Sequence, residues 1–278
     1  MNDIQFSGGF LDKNMEVSNI DVIHGYNKKE FEFLYKLNQK MYDTIDLFDG
    51  NVSSSGASGY IISCFVMIHK TFQAIVILLE RGLQDEALAL LRIIFEKIIY
   101  AKCAMNKKLF LKVQLNGITK QIESINKVKQ HDFTYRQLSD EELENKKNIL
   151  ISVGQNILDA IDSNRRKPYN GKTKYGLDSL ADAVGMTDQY KYMYPVLNKM
   201  IHCDMTQVEA QIETDMEGHK IIDLNPIFED NHYYTNSISN LITALLDDVY
   251  NYFGFSKENI TPLLEEESKI WHDLLYDC

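Results

Sequence analysis

Gly82-Leu-Gln-Asp-Glu-Ala-Leu-Ala-Leu-Leu-Arg-Ile-Ile-Phe-Glu-Lys-Ile-Ile-Tyr100 is the stretch that decides the fold. Its apolar residues Ala87, Leu88, Leu91, Ile94, Phe95, Ile98 and Ile99 recur with helical spacing and form one broad face. Ala89 and Ile93 occupy the other side, so the pattern predicts a helix over 83–105 that is buried nearly all round. Arg92 and Glu96 interrupt this helix one turn apart. Charged groups are seldom buried without a partner or a purpose, so the pair marks a candidate site.

A second stripe reinforces the first. Tyr194, Asn198 and His202 follow one another at four-residue steps, on one face of a predicted helix that has Pro195 in its first turn. Arg92 and Glu96 can pair within their helix, or an Arg–carboxylate fork can hold a ligand or fix helix register. On the other stripe His202 offers an acid, a base or a ligand near neutral pH. Asn198 orients by hydrogen bonding, and Tyr194 supplies a hydroxyl. Alternatively these residues form a polar layer that satisfies itself.

Few prolines (four in 278 residues) and long apolar periodicity point to an all-α protein. The expected architecture is a helical bundle of about seven to nine helices with a small β-hairpin insertion at 211–224. Residues 1–27 read as an irregular arm and 28–278 as a single helical domain. Helices are predicted over 28–48, 57–81, 83–105, 108–129, 140–164, 177–184, 188–192, a segment containing His202, 232–253 and 262–276. Gly82 is the expected stop of the second, and Ser139-Asp-Glu-Glu142 reads as a capping box.

The formal net charge of −11 disfavours a broad duplex-DNA surface, which needs clustered Lys and Arg. One local basic cluster stands out, Arg165-Arg166-Lys167 with Lys172 and Lys174, and reads as a solvated loop. The four cysteines (Cys64, Cys103, Cys203, Cys278) have no CxxC spacing, so neither a disulfide framework nor a zinc knuckle is suggested. No signal peptide precedes the first helix, and a cytoplasmic location is expected. Tyr60 through Leu79 is apolar enough to suggest a membrane span. It carries His69-Lys70 at its centre, however, and a central Lys costs about 2.5–3.5 kcal/mol, so a core helix is expected and no membrane association.

No cofactor or metal is expected. A di-metal bundle needs two Glu-x-x-His motifs, and only Glu229-Asp-Asn-His232 has that spacing. No phosphate loop, dinucleotide fingerprint or nucleophile elbow occurs. His69 reads as a core histidine, although the tight turn at Gly82 also permits it to face Arg92 and Glu96. The aromatic C-terminal helices (Tyr233, Tyr234, Tyr250, Tyr252, Phe253, Phe255, Trp271) are expected to pack on the core or on a second copy.

The pattern Gly82-Leu-x-x-Glu86-Ala87-x-x-Leu90-Leu91-Arg92-x-x-Phe95-Glu96, followed by Tyr194-x-x-x-Asn198-x-x-x-His202-x-Asp204, resembles an uncharacterised family of bacterial all-helical proteins. The resemblance covers roughly 56–211 and implies that Glu86, Arg92, Glu96, Asn198 and His202 are characteristic positions. A looser similarity is to the HEPN superfamily, helical bundles that include RNA-cleaving toxins and abortive-infection proteins. That likeness implies a homodimer acting on RNA in stress or phage defence. Its usual Arg followed by His on one helix is missing here, so Arg92 would supply the cation from another helix. The expectation is a polar site of Arg92, Glu96, Tyr194, Asn198 and His202 that takes RNA or a small molecule. The alternative is a non-enzymatic interaction module.

Overall fold

A computed structural model of the protein describes residues 15–50, 53, 55–130, 138–164, 167–202, 212–214, 220–222 and 232–276. The described residues are almost all helical and form a helical bundle. Its helices are α1 (Met15–Tyr26), α2 (Lys28–Phe48), α3 (Gly56–Leu79), α4 (Gln84–Ala104), α5 (Lys107–Gln130), α6 (Asp140–Ile161), α7 (Leu177–Ala183), α8 (Thr187–His202), α9 (His232–Phe253) and α10 (Thr261–Tyr276). Two three-residue strands, β1 (Ile212–Thr214) and β2 (Lys220–Ile222), pair antiparallel with Glu213 opposite Ile221. The chain between them lies outside the described residues.

Ten α-helices among the described residues exceed the expected seven to nine, and α1 accounts for part of the difference. It replaces the latter part of the irregular arm expected over 1–27. Its sequence carries no sustained apolar stripe, and tertiary contacts hold it instead. Ile23 is fully buried, and the His24 ring stacks on Phe31 at 4.6 Å. His24 Nε2 also lies 3.0 Å from the Glu80 carboxylate, which accepts the Tyr35 hydroxyl as well. Between α1 and α2, Asn27 leaves helical geometry while its amide donates to the Ile23 carbonyl at 3.0 Å.

α8 also departs from expectation. It is one continuous helix, with Pro195 in its interior rather than its first turn. An interior proline removes one backbone hydrogen bond. The stack of Tyr190 on Tyr194, at 4.7 Å, spans the affected turn.

The chain divides into two compact units. One comprises 1–54, 62–98 and 188–278; the other comprises 55–61 and 99–187. Two of the four boundaries fall inside α3 and α4, where no linker composition marks them.

The first unit is built on apolar faces of α2, α3, α4 and α9. Phe31, Leu34, Leu37 and Met41 are buried on α2, Phe65, Ile68 and Phe72 on α3, and Leu245, Leu246 and Val249 on α9. Phe48 at the end of α2 gathers Phe65, Phe253 and Phe255 at centroid distances of 5.6, 5.2 and 5.9 Å. Tyr250 is buried as well, so part of the aromatic C-terminal set fills this core, while Tyr233 and Tyr252 remain exposed. The Trp271 side chain lies outside the described residues.

α3 is long and apolar enough to cross a membrane by length and composition. Its His69 is buried and bonds Asn38 Oδ1 at 2.9 Å, so it does not join Arg92 and Glu96. The turn after α3 closes as expected: Gly82, at φ +73°, lets its N–H reach the Leu79 carbonyl and the Leu83 N–H reach that of Leu78.

Burial lowers the His69 pKa from 6.5, and the hydrogen bond with Asn38 only partly offsets that. A folded-state value below the unfolded one means stability is present above pH 6.5 and is lost as pH falls through the lowered value. Urea titrations across acid pH are therefore expected to show declining stability below pH 6.5, and His69→Gln to flatten that limb. An unchanged limb in the variant would remove His69 as its source.

The second unit packs α5 on α6. Leu115, Ile118, Ile122, Leu158 and Tyr169 form its core. Ser139 caps α6 in the predicted box, accepting from the Glu142 N–H at 3.2 Å while the Glu142 carboxylate accepts the Ser139 N–H at 2.7 Å. Ser139→Ala is expected to cost about 1 kcal/mol, measured by thermal unfolding.

The chain between α6 and α7 lies along α5, secured by buried polar side chains. Asn116 donates to the Tyr175 carbonyl at 2.8 Å and accepts its N–H at 2.7 Å. Thr119 donates to the Thr173 carbonyl at 2.7 Å and takes the Tyr169 hydroxyl at 2.8 Å. The Tyr169 ring rests on Gly154, where a Cβ would meet Cε1 at 2.2 Å. Only glycine admits the ring there.

Candidate functional site

The two stripes meet at three of their five residues, all within the first unit. Arg92 and Glu96 stand one turn apart on α4, and Tyr194 comes from α8. Arg92 Nε donates to Glu96 Oε1 at 3.0 Å, and its Nη2 donates to the Tyr194 hydroxyl at 3.0 Å. The Tyr194 hydroxyl in turn donates to the same Glu96 oxygen at 3.1 Å. The guanidinium carbon also lies 5.0 Å from the Tyr194 ring centroid, a cation–π approach. Two of the five guanidinium N–H donors are spent in this triangle.

The burial of α4 corrects the expectation of a helix enclosed all round. Ala87, Leu88, Leu91, Ile94, Phe95, Ile98 and Ile99 are buried as the spacing requires, but Ile93 is 40% exposed. Alanine and isoleucine on both faces blurred the amphipathic signal. Arg92 and Glu96 sit at the margin of the buried face, with side chains 19% and 32% exposed, so the pair is accessible.

Electrostatics follows from this geometry. Burial works against the Arg92 charge, but hydrogen bonds with Tyr194 and Glu96 outweigh it and raise the pKa. Burial and the neighbouring Glu96 carboxylate raise the Tyr194 pKa above its ordinary value, so the phenol is neutral near pH 7. The result is a fixed cation locked between a carboxylate and a neutral hydroxyl.

Asn198 follows Tyr194 by one turn of α8. Its Oδ1 is buried, without a hydrogen-bond partner among the described residues. A buried acceptor left unbonded is costly, which sets this position apart from a self-satisfied layer. His202 closes α8 one turn further on, but its side chain, like Asp204, lies outside the described residues. Glu86 stands exposed in the first turn of α4 and takes no part in the triangle's hydrogen bonds.

Two side chains support Tyr194: Phe95, read from sequence only as core, and Tyr190, which the sequence reading missed. Tyr190 stacks on Tyr194 with rings 17° apart, and the buried Phe95 lies 6.3 Å from the same ring. The four-residue step from Tyr190 to Tyr194 was the available signal. Among the described residues no three His, Cys, Asp or Glu side chains gather as metal ligands would. His232 of the Glu-x-x-His motif instead lies 2.5 Å from the buried Glu30 carboxylate, and Glu229 falls outside the described residues.

The chain belongs to a family of unknown function (DUF5677), whose pattern matches residues 59–220. The matched residues include Arg92, Glu96, Tyr194, Asn198 and His202. No curated protein and no solved structure matches the chain.

Proposed function

We propose that this protein is a cytoplasmic, homodimeric, HEPN-like enzyme that cleaves RNA in stress or phage defence, with the α4–α8 cluster as its active site. The observation that carries the reading is the fixed Arg92 cation, which keeps unspent donors and bonds Tyr194, itself one turn of α8 from an unpartnered Asn198 oxygen. A planar guanidinium with free donors suits a phosphodiester, and an oriented cation stabilises charge that develops on phosphate.

In this reading the RNA 2′-oxygen attacks phosphorus while the bond to the 5′-oxygen breaks. Arg92 stabilises the negative charge on the non-bridging oxygens, and His202 moves the proton between the attacking and leaving oxygens. Glu96 and Tyr194 position the guanidinium, and Asn198 orients the substrate. Incubating the protein with end-labelled RNA is expected to release fragments bearing 2′,3′-cyclic phosphate and 5′-hydroxyl ends. Intact RNA across pH and salt would overturn the proposal.

One observation favours a second reading, a non-enzymatic interaction module. Arg92, Glu96 and Tyr194 satisfy one another, as a brace between α4 and α8 would. On that reading Tyr194→Phe lowers stability and nothing else.

A further inference from the structure

The net charge of −11 conceals a segregation that the division into units makes visible. Residues 55–61 and 99–187 carry fifteen Lys and Arg against ten Asp and Glu, a net +5, and the remainder of the chain carries −16. A basic unit inside an acidic chain is an electrostatic footprint for a polyanion.

Its cations are arranged rather than scattered. On α5, Lys112, Lys120 and Lys127 are spaced by eight and seven residues, which keeps them on the side of the helix that holds Asn116, Thr119 and Glu123. Asn116 and Thr119 fasten the segment 169–175 along that side. The segment adds Lys172 and Lys174, both exposed, and Lys174 is paired with Glu123 at 2.6 Å. Lys112 stands over the Tyr175 ring at 5.0 Å, so an aromatic face adjoins the cations. Lys167 is exposed at the start of the same segment. Buried hydrogen bonds thus hold the loop in place and set its lysines beside those of the helix.

The geometry points to this strip of α5 and the 167–175 loop as a binding surface for the phosphate backbone of single-stranded RNA. Lys167, Lys172 and Lys174, read from sequence as part of a solvated loop, form one edge of it. The choice of RNA rests on the function proposed above; the charge segregation does not, and the surface shares no residue with the Arg92 cluster.

The test uses the full chain and a fluorescent 2′-O-methyl RNA of about twenty nucleotides, longer than a typical single-stranded site and not cleavable through a 2′-hydroxyl. Binding is measured by anisotropy across salt concentration, with wild type expected to bind. The combined variant Lys112→Ala/Lys120→Ala/Lys172→Ala is expected to lose at least about tenfold in affinity near 0.1 M salt. Its plot of log K against log salt should flatten by about 2, from three lost phosphate contacts.

Removing the same charge from the other unit (Lys28→Ala/Lys29→Ala/Lys70→Ala) should change affinity less than about twofold if contact and not overall charge is read. Cleavage of an unmodified RNA is assayed in parallel, so that binding of the 2′-O-methyl RNA without cleavage of the unmodified one separates failed cleavage from failed binding. The proposal is overturned if wild type does not bind, or if the α5 variant binds with an unchanged slope. It is equally overturned if duplex DNA or phosphatidylserine vesicles bind as tightly as the RNA and with the same dependence on these lysines.

Discussion

Arg92→Ala is expected to slow RNA cleavage by about 10²- to 10³-fold, the usual loss when one preorganised charge stabiliser is removed. Folding should suffer much less. Glu96 and Tyr194 keep their own hydrogen bond at 3.1 Å, and the lost ion pair is partly exposed, which limits the cost to about 1 kcal/mol or less. Arg92→Lys preserves the charge but not the planar fork that bonds Glu96 and Tyr194 at once, so it should recover little activity. Cleavage rates and melting curves on the same preparations check both statements. A large fall in melting temperature with Arg92→Ala would instead identify the triangle as a structural brace.

The largest loss of stability is expected from Tyr169→Ala. The ring is 4% exposed, fills the space over Gly154 and sends its hydroxyl to Thr119. Emptying a buried aromatic site costs about 3–5 kcal/mol. Tyr169→Phe keeps the ring and loses only the hydrogen bond, which is worth about 1 kcal/mol. Gly154→Ala attacks the same contact from the other side, forcing the ring away at a cost of about 1–3 kcal/mol. Thermal unfolding should rank the three in that order of severity: Tyr169→Ala, Gly154→Ala, Tyr169→Phe. Because the ring also anchors the basic loop, Tyr169→Ala should weaken RNA binding where Tyr169→Phe does not.

Much of the helical framework was legible because it rests on local rules. The predicted spans 28–48 and 232–253 coincide with α2 and α9, whose apolar stripes are regular and whose ends are marked by Asn27, Asp49 and Gly254. Gly82 and Ser139 acted through backbone chemistry that sequence states directly. α1 was not legible, since His24 depends on Phe31 and Glu80, the latter 56 positions away. Two of the unit boundaries were hidden for a related reason, as they pass through the continuous helices α3 and α4. Within the site, four-residue spacing found Arg92, Glu96 and Tyr194, but a stripe cannot report which helix lies across from it. That Arg92 and Tyr194 share a hydrogen bond is a tertiary fact.

The basic strip shows the same limit from another direction. Overall charge averages the two units, and the cluster around 165–174 looked ordinary beside a total of −11. Only the hydrogen bonds of Asn116 and Thr119 reveal that those lysines lie along the cations of α5.

The central claim, that the α4–α8 cluster is a site and not a brace, is tested most directly by His202→Ala. RNA cleavage rate and melting temperature are measured together against wild type. Cleavage is expected to collapse while the melting temperature stays within about 2 °C, the shift of less than 1 kcal/mol in a chain of this size. A variant that melts markedly lower, from a wild type that leaves RNA intact, would contradict it.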